Sequence, residues 1–355
     1  MIKSESVDKP KEDILMKKTA SFFCALFVLA LFPVAAFSQG SDVKTKLKSM
    51  KPKDYPNQPI EFVVSFPAGG GMDVTARILA KYVENYIDGR IIVVNKPGGG
   101  GFVGNTYLST QAKNDGYTVG IISTGILTDD LLKAKGAWSY KNSESLAFIN
   151  EDPVTWIVST SGPLKDKSLK DIIEISKQKP ETLKVSVIPD AYFQWLTESV
   201  ELYTGGKYII VPFQGGVPGI TSMLGGHVDF SSGYLTEYKG FLEAGKVNVI
   251  AQTGSVRSSF LPNVPTFNEV MKRDDILWSV GRFAAVPKGT PKDYMNYLAM
   301  AIDAALHDPE CIADYDKAGI KIGAKYMNGK QTDAELDKIY KNYQDFFIKT
   351  KRLSQ

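Results

Sequence analysis

Two glycine-rich turns carry the clearest chemical signal in this chain. The first is Phe66-Pro67-Ala68-Gly69-Gly70-Gly71-Met72-Asp73, and the second is Asn95-Lys96-Pro97-Gly98-Gly99-Gly100-Gly101. Glycine removes the side chain that would keep a ligand away from backbone N–H groups. A helix N-terminus adds orphan donors and a dipole favourable to an anion. Two such turns about thirty residues apart could face one pocket and hold a carboxylate of a small ligand, largely through neutral donors, helix dipoles and water. The alternative is that the glycines serve only tight strand-to-helix geometry. Asp73 fits a role in capping its helix and organising the loop.

The flanking residues must position these turns. Phe62-Val63-Val64 precedes the first, and Val74, Ile78, Tyr82, Val83 and Tyr86 follow with the spacing of one helix face. Ile91 to Val94 precedes the second, which leads towards Val103, Tyr107 and Leu108. The pattern predicts strands at 61–66, 90–94 and 117–123, with helices at 73–86 and 103–112. Further on it predicts a short apolar strand at 156–159 and strands at 183–187, 208–211, 228–231 and 247–251. Ser168 opens a helix that Pro180 closes. Asp190 is an N-cap candidate for a helix through Tyr203, with Gly205 as its C-cap. A turn at 214–219 leads into a short helix ending at Gly225-Gly226. Pro291 occupies a first helical position, and Thr332 to Glu335 reads as a capping box. Alternating β and α elements indicate an α/β architecture with largely parallel sheets.

Other candidate ligand contacts each have a plainer reading. Ser123-Thr124 follow a strand's C-terminal end, where ligands gather in open α/β sheets, or form a solvated loop. Gln214 faces either the cleft or solvent. Asp229 fits a turn better than a ligand contact.

Enzyme readings find less support. Gly99-x-Gly101-x-x-Gly104 matches a dinucleotide fingerprint, which leaves a nicotinamide-dependent oxidoreductase as an alternative. An Asn-Lys-Pro spacer separates that pattern from its strand. Neither turn has the Gly-Lys-Ser/Thr of a P-loop. His227 and His307 lack metal-ligand spacing, and no nucleophile-elbow pattern accompanies them. No catalytic residue, metal or cofactor is therefore expected. The net charge of +3 and the absence of a basic stripe give no reason to invoke nucleic acid.

Residues 1–38 read as a signal peptide with an extended leading region: Met16-Lys17-Lys18, then the apolar run from Phe22 to Ala36, then Ser38-Gln39. A membrane anchor is the competing reading, but the run is short for a span. Met16 fits a start position. Cys24 would leave with the signal, so Cys311 would have no disulfide partner. Residues 39–54 are lysine-rich and read as a linker.

Several segments together resemble the substrate-binding proteins of tripartite tricarboxylate transporters, also called Bug receptors. They are Tyr55-Pro56 through Asp73, the Asn95–Gly101 turn, Asp115-Gly116-Tyr117, Val211-Pro212-Phe213-Gln214-Gly215-Gly216, Gly225-Gly226-His227-Val228-Asp229, Arg257 with Leu261 to Thr266, and Ala285 to Pro291. This chain departs from the family pattern at Ala68, Gly99, Phe213, Gln214 and the loop Val187 to Tyr192.

The resemblance implies a two-domain periplasmic binding protein of the type II, Venus-flytrap kind. Residues 55–156 with 277–355 would form domain 1, and 157–276 domain 2. It implies a non-enzymatic, monomeric receptor in the periplasm of a Gram-negative bacterium. The receptor would bind a small carboxylate or related organic molecule and deliver it to the membrane subunits of such a transporter. An exported sensor or chaperone without a transport partner is the second alternative. The implied ligand contacts are Phe66, Ala68, Gly69, Gly70, Gly71 and Asp73 from the first turn, and Pro97, Gly98, Gly99, Gly100 and Gly101 from the second. Ser123, Thr124, Asp190, Ala191, Phe213, Gln214, Gly215 and Asp229 complete the set.

Overall fold

Short apolar runs joined by crossover helices pair side by side as parallel strands, and two such blocks, over 60–123 and 184–233, each form one side of the sheet in one half of the fold. The computed structural model describes residues 33–354. The expected signal peptide lies mostly outside the described residues. Where described, the chain from Pro33 to Met50 is one helix. The stretch read as a linker is thus helical as far as Met50, because its lysines, Leu47 and Met50 favour helix even without an apolar stripe. Among the described residues no helix is long and apolar enough to cross a membrane.

Residues from Met50 onward form one compact unit built on two sheets. The strands are β1 (Ile60–Val64), β2 (Ile91–Asn95), β3 (Thr118–Ser123), β4 (Ser143–Asp152), β5 (Thr155–Ser159), β6 (Lys184–Val187), β7 (Ile209–Pro212), β8 (Phe230–Gly233), β9 (Val247–Gln252), β10 (Val280–Pro287) and β11 (Ile322–Asn328). The first sheet has the order β11-β4-β10-β3-β1-β2, and the second β7-β6-β8-β5-β9.

Both sheets are mixed rather than mainly parallel. β2, β1 and β3 run parallel, while β10 is antiparallel to both β3 and β4, and β11 to β4. In the second sheet β7, β6 and β8 are parallel, and β5 is antiparallel to β8 and β9. The reason is topological. β5 and β10 are the first strands the chain lays down after passing from one sheet to the other. They have no preceding crossover helix to make them parallel to their neighbours.

The two passages lie close together. Val154, between β4 and β5, accepts a hydrogen bond at 2.9 Å from the N–H of Thr253, just past β9. Its own N–H donates to Thr253 Oγ1 at 2.9 Å.

Cap chemistry follows the sequence in some places and not in others. Ser168 and Asp171 form the expected capping box. Gly205 ends its helix at φ 77°, a left-handed conformation suited to glycine. The preceding N-cap, however, is Ala191, with Asp190 one residue outside at φ 50°. Pro291 is itself the N-cap of Lys292–Leu306. The C-terminal helix begins earlier than read, at Gly329, with Asn328 and Gln331 as its box, so Thr332 lies inside it.

Trp156 on β5 is fully buried among Tyr208, Phe230 and Phe267. Tyr55, at the start of the folded region, stacks on Tyr294 at 4.3 Å and donates to the carbonyl of Gly116 at 2.6 Å. Cys311 is a buried free thiol, pushed up to about 12 by burial and so inert.

Candidate functional site

A cavity of about 210 Å³ lies between the two sheets. Both glycine turns reach it, but unequally. Phe66, Ala68, Gly70 and Gly71 line it from the first turn, and only Gly100 from the second. Ser123, Asp190, Ala191 and Gly215 line it too. Met72, Ile188, Phe193, Val217 and Val280 make much of the remaining wall apolar.

The other candidates stand behind this wall. Asp73 is buried at the first turn of helix Gly71–Val83 and accepts from the Gly69 N–H at 2.9 Å. It also accepts from Arg77 Nε at 2.8 Å and from Asn95 Nδ2 at 3.0 Å. Burial raises this carboxyl, but those partners bring it below the usual carboxylate range. Because Asn95 ends β2, Asp73 ties the first turn to the root of the second. It organises the loop without being its N-cap, which is Gly70.

The second turn needs its glycines for conformation. Gly98, Gly99, Gly100 and Gly101 all have positive φ, at 139°, 57°, 68° and 108°. A Cβ on Gly100 would stand 2.5 Å from the carbonyl of Pro189, so this turn meets the loop before helix Tyr192–Thr204 without room for a methyl group. Gly101 packs against Phe66 instead, and Pro97, Gly98 and Gly99 lie outside the cavity wall. Lys133 bridges the same junction, donating to Gly99 O at 3.0 Å and Asp190 O at 3.3 Å. It pairs with Asp129 at 2.8 Å, whose carboxyl burial pushes up to about 6.

Thr124 sits behind Ser123, its hydroxyl accepting from the Gly281 N–H at 3.0 Å and from Tyr192 at 2.7 Å. Phe213 is half-buried and packs against the core beside the second sheet, and Gln214 is exposed. Asp229 accepts from the Lys184 N–H at 2.7 Å, securing a strand start away from the cavity. Gly104, the last glycine of the dinucleotide-like pattern, faces Ser65 at 2.6 Å from a would-be Cβ. It serves the close packing of its helix on β1.

The backbone cradle is also less open than the sequence suggests. The N–H of Gly69 goes to Asp73, that of Gly70 to Pro67 O at 3.4 Å, and that of Gly101 to Gly98 O at 3.1 Å. The carboxylate of Glu237 lies close to the same turn, with Oε1 3.8 Å from a would-be Cβ on Gly70.

The strongest groups in the cavity come from segments far from either turn. Arg282, on β10, lines the cavity and is fully buried. Its Nη1 pairs with Asp152 at the end of β4. Nε and Nη2, the two donors along one edge of the guanidinium, have no hydrogen-bond partner among the described residues. Burial pushes the Asp152 carboxyl up, and the guanidinium works against that shift. Gly71 is closely apposed: a Cβ there would lie 2.9 Å from Arg282 Nη2 and 2.9 Å from Thr236 Oγ1.

Glu237, on helix Leu235–Glu243, accepts from the Tyr234 N–H at 3.0 Å and lies against Gly216. Burial pushes it up to about 7. These residues escaped the sequence reading because neither β10 nor this helix shows a clean period. The available signal was Arg282 as the lone charge in the run Val280–Pro287. A single charge inside an apolar strand is costly unless it is paired and put to use.

Comparison with known proteins agrees with this architecture. Residues 75–344 match the family described as the tripartite tricarboxylate transporter family receptor. A UPF0065 protein of Agrobacterium vitis, from the TAR-I ttuE-ttuC' intergenic region, is 27% identical over 343 residues, covering 95% of this chain and 92% of its own. Protein BugT of Bordetella pertussis is 28% identical over 267 residues, 75% of this chain and 81% of its own. The solved periplasmic binding protein BugD superposes with a TM-score of 0.77 at 26% identity, covering 85% of this chain and 100% of BugD. On this family match and this shared two-sheet fold, the chain belongs to the tripartite tricarboxylate transporter receptor family.

Proposed function

We propose that this protein is an extracytoplasmic solute receptor that binds a small carboxylate between its two sheets and presents it to the membrane subunits of a tripartite transporter. The observation that carries the ligand class is Arg282. Arg282 lines the cavity with a fully buried guanidinium whose Nε and Nη2, adjacent donors without a hydrogen-bond partner among the described residues, match a carboxylate's two oxygens side-on once the walls part enough to admit them. The loop glycines contribute shape, and neutral donors are secondary to this one cation. Two receptors of the same fold, R. palustris Rpa4515 (TM-score 0.75, 23% identity) and MatC from Rhodopseudomonas palustris (0.69, 22%), were solved with adipate and malate. At that identity they attest the fold alone.

The sheets would act as two lobes, divided near residues 156 and 277, that close around the ligand about the strands on either side of Val154 and Thr253. The contacts of Gly100 and Lys133 across the cavity mouth would form in the closed state.

A thermal-shift screen of small carboxylates tests the ligand class. A ligand that binds only the folded chain raises the melting temperature by mass action. An acid that does so in the wild type, with no shift from its amide at the same concentration, supports the reading. Equal shifts for acid and amide would remove the carboxylate from it.

Delivery to a transporter also requires export. The protein expressed from Met16 should be recovered from the periplasm with a new N-terminus near Gln39. Full-length chain retained in the inner membrane would make the apolar run an anchor instead.

A further inference from the structure

The loop from Val187 to Tyr192 is held from two sides. Ile188, Asp190, Ala191, Tyr192 and Phe193 line the cavity, so this loop and the start of its helix form a wall. Asp190 has φ 50°, a left-handed conformation that is uncommon outside glycine and persists where neighbours hold it. Its carbonyl accepts from Lys133 at 3.3 Å, and the Pro189 carbonyl faces Gly100. Those contacts join the loop to the first half of the fold. On its other side the Asp190 N–H donates to Gln194 Oε1 at 2.8 Å. Gln194 Nε2 donates in turn to Glu198 Oε1 at 2.7 Å. Glu198 is held by Arg352, whose Nη2 donates to its two oxygens at 2.7 and 2.6 Å. Positions 190, 194 and 198 are four apart, so they share one face of helix Tyr192–Thr204 and its entry.

Arg352 follows helix Gly329–Lys349, which packs along β4 of the first sheet, and its guanidinium lies 4.7 Å over the Trp195 ring. The first half therefore grips one chain of hydrogen bonds at both ends, through Lys133 and through Arg352. Gln194 stands in the middle of that chain. It is half-buried, and it is not among the residues that line the cavity. A glutamine that only faced solvent would need no partner, whereas this one uses both ends of its amide.

We propose that Gln194 is a positioning residue for ligand retention: by holding the Asp190 N–H, it keeps the loop in the shape whose carbonyls meet Lys133 and Gly100 when the lobes close. This rests on the receptor reading above. Without that acceptor Asp190 loses the contact that holds it in the left-handed region. The Pro189 and Asp190 carbonyls follow the same backbone angles and turn away from the first half. A ligand still enters and meets Arg282, but the closing-competent form is less populated, and apparent affinity falls by that fraction. The loss appears as faster release.

The test combines hydrogen exchange with binding kinetics. Gln194→Met keeps the length and helix preference of glutamine and removes the amide. Without ligand, exchange in peptides spanning Asp190 should be at least about fivefold faster in this variant than in wild type. Hexanoate, succinate, adipate and malate serve as probes. Those that bind wild type should leave Gln194→Met about tenfold faster, with association changed by less than about threefold. Lys133→Met, made together with Asp129→Asn so that no buried carboxylate is left without its cation, should show a loss of similar size. Adding Gln194→Met to it should cost little more, because both changes act through one loop. Losses that multiply would show that Gln194 and Lys133 act independently, and would overturn the inference. An unchanged dissociation rate in Gln194→Met also overturns it, with or without faster exchange, and leaves the receptor reading standing. If none of the four acids binds wild type, the receptor reading falls and takes this inference with it.

Discussion

Replacing Arg282 with Gln is expected to remove carboxylate binding almost entirely. The guanidinium is fully buried at the cavity, and its Nε and Nη2 have no hydrogen-bond partner among the described residues. Truncating one partner of a buried, hydrogen-bonded charge pair typically costs about 2–5 kcal/mol of binding, roughly 30-fold to several-thousand-fold in affinity. The single variant also leaves Asp152 buried without its cation, so a loss of binding could reflect a loss of fold. Two controls separate the effects. Arg282→Lys keeps a charge for Asp152 but loses the planar fork, and should bind more weakly than wild type while remaining folded. Arg282→Gln combined with Asp152→Asn removes both charges together and should fold without binding. Calorimetry on all three, with circular dichroism to confirm the fold, decides the matter. If the double variant binds a carboxylate like wild type, the glycine turns hold the ligand and Arg282 does not.

Asp152→Asn is expected to be the most destabilising conservative change near the cavity. It leaves the Arg282 guanidinium buried and uncompensated, and breaking a buried ion pair from one side costs about 3–5 kcal/mol. The position adds to the effect. Asp152 closes β4 just before the chain passes to the second sheet, and it also accepts from Asn150 Nδ2 at 2.7 Å. Urea denaturation should show an earlier midpoint with little change in slope. Removing both charges with Arg282→Gln should recover most of the loss, because a neutral buried pair avoids the desolvation that the ion pair must offset. A carboxylate ligand should stabilise Asp152→Asn more than wild type, since it supplies the missing counter-charge. A midpoint like that of wild type would show that Asp152 contributes little to holding Arg282.

Local signals in the sequence settled the parts of this protein that local physics governs. The apolar runs before Gly69 and Gly98, and the helix periods after them, are short-range patterns. They place β1, β2 and β3 and their helices to within a few residues. Ser168 with Asp171, and Gly205, act on their own neighbours and were legible for the same reason. The ordered segments from Tyr55 to Pro291 were together enough to point to the family. The glycines at positions 98–101 announced a turn that only glycine can make, though not which of them would meet the cavity.

Tertiary structure decided the rest. β4 and β10 read poorly because β4 carries charged ends and β10 holds Gly281, Arg282 and Pro287. They are strands because neighbours on both sides satisfy their backbone groups, and no local window contains those neighbours. The mixed sheets follow from passing twice between the halves, which alternation of elements alone does not reveal. Asp152 and Arg282 lie 130 residues apart and meet only because β4 and β10 pair in antiparallel register. Glu237 and Gly71 line one cavity only because the two halves face each other across it. The turns that could hold an anion were therefore visible from the start. The charge that would hold it, and the carboxylate placed beside it, exist as a site only in three dimensions.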